Sequence, residues 1–94
     1  MILDGKTKEK YYNKYQDIIK YSKFRVYSEE EKALLQPHRI RPLCVHGTDH
    51  PDNIVFISPK DHIMAHHILC RVFPNNEEIK HSYEMVVHQN KRNK

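Results

Sequence analysis

Eight of the 94 residues are histidine, and six of these (His38, His46, His50, His62, His66 and His67) fall between positions 38 and 67. Acidic and basic side chains balance over residues 36 to 70, and neutral imidazoles gathered there suit metal ligation better than electrostatic attraction. His62 and His66 stand four apart in a segment with helical patterning. Their imidazoles therefore share one face one turn apart, as two ligands of a single ion require. His38 belongs to an earlier extended segment. A strand, loop, strand, helix order returns that segment to the start of the helix, where His38 supplies a third nitrogen and leaves positions for water or a phosphate oxygen.

The elements that must hold these residues follow from periodicity and punctuation. Tyr11, Tyr15 and Ile18, with Tyr12 and Ile19 beside them, recur at helical spacing and predict an amphipathic helix over residues 6 to 24 whose tyrosines are core groups. Phe24 to Tyr27 reads as a short strand. Ser28 with Glu31 three residues later is a capping box opening a helical turn through Leu35, which Pro37 stops. A first strand is expected from His38 to Leu43, with Ile40 and Arg41 on opposite faces, and turn formers make Cys44 to Asn53 a loop. Ile54 to Ile57 is an apolar run of strand length. Ser58 as N-cap, Pro59 at the first helical position and Asp61 three residues after the cap then open a helix to about Val72, apolar around most of its circumference and so central and buried. After Pro74, Asn75 or Asn76 caps a last helix over residues 76 to 89, with Ile79, Tyr83, Val86 and Val87 on one face and a frayed tail from Gln89.

Composition bounds the rest. With 38% apolar and 30% charged residues, the chain has room for one α+β domain, residues 1 to 94, and a core small enough that a metal or a partner is a common staple. Cys44 and Cys70 form no C-x-x-C pair, which excludes a four-cysteine zinc site and a disulfide framework and points to a reducing, cytoplasmic setting. The start, MILDGKTKEKYY, has no apolar signal region, and no window approaches the roughly 18 apolar residues of a membrane span. The formal charge of +4 resides on the flanks, in Lys6, Lys8, Lys10 and Lys14 and in Lys91, Arg92 and Lys94. These read first as solvated ends and second as phosphate contacts.

The stretch from His38 to Leu69, HRIRPLCVHGTDHPDNIVFISPKDHIMAHHIL, resembles the HNH nuclease family, the ββα-metal fold, in the form found in phage homing-type endonucleases and colicin nuclease domains. The matching anchors are His38-Arg39-Ile40-Arg41-Pro42, His46-Gly47, Asn53-Ile54-Val55, Asp61-His62 and His66. The tyrosine-rich first helix and Phe73-Pro74-Asn75-Asn76 also look like those phage proteins, so the resemblance covers nearly the whole chain. It implies an HNH-like core, a short two-stranded sheet plus the central helix over residues 38 to 72, with flanking helices at either end. It also implies that His38, His62 and His66 hold a divalent ion, either zinc, nickel, manganese or magnesium, or that the site has lost its metal. Three nitrogens suit zinc or nickel better than magnesium.

In the family's mechanism the ion stabilises the scissile phosphate and leaving oxygen, a histidine next to the first ligand takes a proton from water, and the Asn of the second strand, here Asn53, orients that base. The base position is Arg39. A guanidinium stays protonated and has no acceptor, so Arg39 is no general base, and losing one costs about 10²- to 10⁴-fold. His46, which replaces the first glycine of the family's loop, is a candidate substitute, as are His50 and His67. Arg39 suits a phosphate clamp. Homing-type relatives usually carry an additional DNA-reading region, and the expectation from this sequence is a domain without one after the last helix. Two readings result. One is a catalytically impaired phage domain that works by binding a host nucleic-acid-targeting defence complex, as an anti-CRISPR-like inhibitor. The other is an active metal-dependent DNA endonuclease or nickase. Both belong in the cytoplasm of a bacterial host with no membrane partner, and the sequence leaves the oligomeric state open.

Overall fold

The computed structural model describes residues 5–92, so Lys94, expected in the basic C-terminal flank, and the start of the N-terminal segment lie outside the described residues. Helix α1 spans Gly5–Phe24 and buries Tyr15 and Ile19, with Tyr11 and Ile18 packed against the core. Tyr12 and Tyr21 are exposed, so the tyrosines divide between core and solvent along the helical period. Phe24 to Tyr27, expected as a strand, forms none. Phe24 ends α1, the Arg25 N–H donates back to the Tyr21 carbonyl at 3.0 Å, and Val26 is 92% exposed. The Arg25 guanidinium lies over the rings of Tyr21 and Tyr27 and pairs with Glu31 at 2.7 Å, which gives these side chains local partners without a strand.

Helix α2, Glu29–Lys32, is the turn expected after Ser28, and both halves of its capping box form. It stops short of Leu35. Strand β1, Gln36–Arg39, starts two residues before the expected strand and ends four residues earlier. It pairs antiparallel with β2, Ile54–Ile57, placing His38 opposite Val55 and Pro37 opposite Phe56. A two-stranded sheet consists of edges, so a proline within β1 is tolerated. The ladder does not continue to Leu43 because Asn53 takes over the main chain of Arg41 with its side-chain amide, Oδ1 accepting from the N–H and Nδ2 donating to the carbonyl, both at 2.9 Å.

The expected loop is built around two 3₁₀ turns, Leu43–Val45 and Pro51–Asn53. Between them His46 adopts a left-handed backbone with φ 72°. Gly47 is there because the chain returns on itself: a Cβ at this position would lie 1.8 Å from the Arg41 carbonyl oxygen.

Helix α3, Pro59–Val72, opens as the sequence indicates, with the Ser58 hydroxyl accepting from the Asp61 N–H at 3.2 Å. His62, Ala65, Ile68, Leu69 and Val72 are buried, but Met64 and His67 face solvent, so the helix is covered on one side and not all round. Helix α4, Glu77–Arg92, is capped by Asn76, whose Oδ1 accepts from the Ile79 N–H at 3.0 Å. It runs beyond Gln89, where fraying was expected, because Asn90 is tied to Gln36 of β1. α3 packs against both α1 and α4, while β2 leans on α1. The result is a small α+β domain, helices around a two-stranded antiparallel sheet, compatible with an HNH-like core. Among the described residues no helix is long and apolar enough to cross a membrane.

Candidate metal centre

β1 and α3 bring three imidazoles together. His38 leaves the inner face of β1, and the four-residue spacing on α3 sets His62 and His66 beside it, the three rings meeting edge to face with centroids 4.9 to 5.2 Å apart. One nitrogen from each ring lies within 4.8 Å of the others, close enough to share an ion. Burial disfavours the charged form of each ring. His38 is pushed down to about 3, by desolvation first and then by His66 and His62. His62 falls to about 4 through desolvation, and His66 to about 4 through desolvation and then His62. All three are therefore neutral at pH 7, the state in which imidazole ligates metal.

Protein groups hydrogen-bond one nitrogen of each of two rings. Tyr15 of α1 has its hydroxyl 2.7 Å from His38 Nε2 and donates to the Ile40 carbonyl at 2.6 Å. Gln36 Oε1 lies 2.7 Å from His62 Nδ1. His66 differs, since its Nδ1 is buried and has no hydrogen-bond partner among the described residues. A buried nitrogen left so costs about 1–3 kcal/mol. Three neutral imidazoles, one carrying an orphaned nitrogen, fit a divalent transition ion, with the identity of the metal set by availability and geometry.

The three rings open onto a cavity of about 440 Å³ that also receives Arg39, Cys44 and Asp49. Arg39 Nε donates to Asp49 Oδ1 at 2.7 Å, and both side chains are about half exposed or more. The other expected site residues lie elsewhere. Asn53 makes no hydrogen bond to the Arg39 side chain; its amide holds Arg41 from both sides and donates to the Thr48 carbonyl at 2.7 Å, clasping the loop against the end of β1. His46 is exposed and lines a separate depression of about 330 Å³ with Arg41, His50 and Asn53. His50 caps the second 3₁₀ turn by accepting from the Asp52 N–H, and His67 lies against the Tyr83 ring on the opposite side of α3. None of the three candidate substitute bases lines the cavity of the histidine cluster.

Phage mobile endonucleases match this chain. It is 30% identical to the probable mobile endonuclease D of Enterobacteria phage T4 over 63 residues, which are 66% of this chain and 24% of that protein. Identity to the same phage's probable mobile endonuclease E is 33% over 60 residues, 64% of this chain and 40% of the relative. For probable mobile endonuclease C it is 39% over 44 residues. The matched segment thus spans well under half the length of these phage endonucleases. No family model and no solved structure matches the chain. These similarities support a nuclease-related domain of phage type, and nothing in them supports binding to a host defence complex.

Four further residues bear on the site beyond those expected from sequence: Tyr15, Gln36, Asp49 and Asn90. Gln36 had a signal, since it stands two residues before His38 and strand periodicity puts both on one face. Tyr15 was legible as core but not as a hydroxyl donor, and Asn90 and Asp49 reach the site through pairings 54 and 10 residues apart, which no local pattern reveals.

Proposed function

We propose that the chain is an HNH-type, metal-dependent DNA endonuclease or nickase domain acting in the cytoplasm of a bacterial host. The observation that carries this reading is the convergence of His38, His62 and His66 on one point at the edge of an open cavity, and the similarity to phage endonucleases supports it. His38, His62 and His66 would hold a divalent ion, which when bound would supply positive charge to a phosphodiester and its leaving oxygen. Arg39 offers the guanidinium nitrogens not used by Asp49 to a non-bridging phosphate oxygen at the same cavity. Asn53 serves as the clasp that holds Arg41 and Thr48 together, and so keeps the loop carrying Asp49, the partner of Arg39, against the end of β1.

A second reading, in which the domain binds nucleic acid and cuts poorly, is favoured by one specific observation. Arg39 has no acceptor, and no histidine outside the cluster lines the cavity. Plasmid nicking with magnesium, manganese, nickel and zinc separates the two. Metal-dependent nicking by the native protein, abolished in His62→Ala, supports the endonuclease. Cleavage only by Arg39→His, rising about 10²- to 10⁴-fold, supports the impaired domain. Absence of cleavage by both proteins, with no metal bound to either, removes the metal-dependent reading.

A further inference from the structure

Two hydrogen-bond chains reach the histidine cluster from opposite sides, and each ends on a backbone carbonyl, a group that only accepts. The first begins at Ile40. Its carbonyl takes the single hydroxyl proton of Tyr15 at 2.6 Å, so the Tyr15 oxygen has only lone pairs left for His38 Nε2 at 2.7 Å. That nitrogen must carry the proton. His38 is thereby fixed as the Nε2–H tautomer, with the lone pair on Nδ1.

The second chain begins at Val86 in α4. Its carbonyl accepts from Asn90 Nδ2 at 3.0 Å, which orients the Asn90 amide and turns Oδ1 toward Gln36. Gln36 Nε2 donates to that oxygen at 2.8 Å, so Gln36 Oε1 faces His62 Nδ1 at 2.7 Å. An amide oxygen accepts only, so Nδ1 carries the proton and the lone pair of His62 is on Nε2. Each amide in the chain is thus oriented by its neighbour back to a group that cannot flip.

We infer that Tyr15, Gln36 and Asn90 are positioning residues that preset opposite tautomers in His38 and His62, so that one ring presents Nδ1 and the other Nε2 to a shared ion. The inference rests on the proposed metal reading, and it makes α1 and the far end of α4 parts of the site although neither contributes a ligand. Asn90 acts at two removes. It touches Gln36 and Val86 and no histidine. Presetting matters because a ring must present a lone pair to bind, and partners of this kind change metal affinity by about 10- to 100-fold.

The test is long-range ¹H–¹⁵N correlation on the metal-free, uniformly labelled full chain at pH 7.5, which reads the tautomer of each ring directly, followed by zinc titration. The native protein is expected to show His38 protonated at Nε2 and His62 at Nδ1. Gln36→Leu and Asn90→Leu should each mix the His62 tautomers and leave His38 unchanged, and Tyr15→Phe should do the reverse. Gln36→Glu keeps an acceptor at the same place and should restore both the His62 tautomer and zinc affinity, relative to an expected loss of about 10-fold or more in Gln36→Leu. A native His62 protonated at Nε2, or Leu variants with native tautomers, would overturn the inference even if zinc binds stoichiometrically. Tautomers as assigned with no zinc uptake by the native protein would instead overturn the metal reading, and the positioning role with it.

Discussion

At the residue scale, the three clustered histidines tie stability to pH with a definite sign. Unfolded, each ring takes up a proton near 6.5; folded, His38 does so near 3 and His62 and His66 near 4. Across that window the unfolded chain binds protons that the folded chain refuses. The stabilisation is complete above about pH 6.5 and is lost as pH falls toward 3 to 4. Urea denaturation of the metal-free protein should show a lower midpoint at pH 5 than at pH 7, and His62→Ala should flatten the dependence. Gly47 supports a second expectation. A methyl group there would overlap the Arg41 carbonyl, a backbone atom that cannot swing aside, so Gly47→Ala should cost about 1–3 kcal/mol or more by denaturant midpoint. The His-Gly pair in the sequence marked the position, but the close approach that requires glycine exists only once Asn53 has clasped the loop.

At the element scale, the parts written in local chemistry were legible and the parts written in long-range pairing were not. Ser28 with Glu31 and Ser58 with Pro59 and Asp61 announce α2 and α3 because capping is satisfied within one turn. Ser58→Ala should therefore cost about 1 kcal/mol, read as a shift in urea midpoint with an unchanged slope. The bounds of β1 depended on which residues find a partner across the sheet, and Asn53 decided that by capturing Arg41. In the same way α4 continues through Asn90 because of a contact with Gln36, 54 residues earlier, and not because of its own composition. Of the clustered histidines, His62 and His66 belong to the legible class, since the i, i+4 pair is local to α3, whereas His38 joins them across the fold from β1. Of their partners, Gln36 is readable from strand periodicity beside His38, whereas the Tyr15 hydroxyl contact and Asn90 belong to the other class.

At the scale of the whole molecule, the histidine cluster sits where β1 and α3 meet, and its hydrogen-bond partners are Tyr15 of α1 and Gln36 of β1, the latter held in turn by Asn90 of α4. An ion bound there would bind only the folded chain, so it would raise the thermal midpoint by mass action. At a free zinc concentration 100 times the dissociation constant the gain is about 2.7 kcal/mol, reversible with chelator and absent in His62→Ala, as differential scanning calorimetry should record. A small core makes such a gain a large share of the total stability. The two cysteines give this architecture a practical consequence. Both are free; Cys44 is exposed beside the histidine cavity, whereas Cys70 is half-buried against α4 with its thiol pushed up by burial. A chromogenic disulfide reagent should thus discharge in two kinetic phases, the fast one vanishing in Cys44→Ser. Because that fast thiol borders the cavity, its rate is a built-in optical gauge of whatever occupies the mouth of the site, with no label to attach and no turnover to wait for.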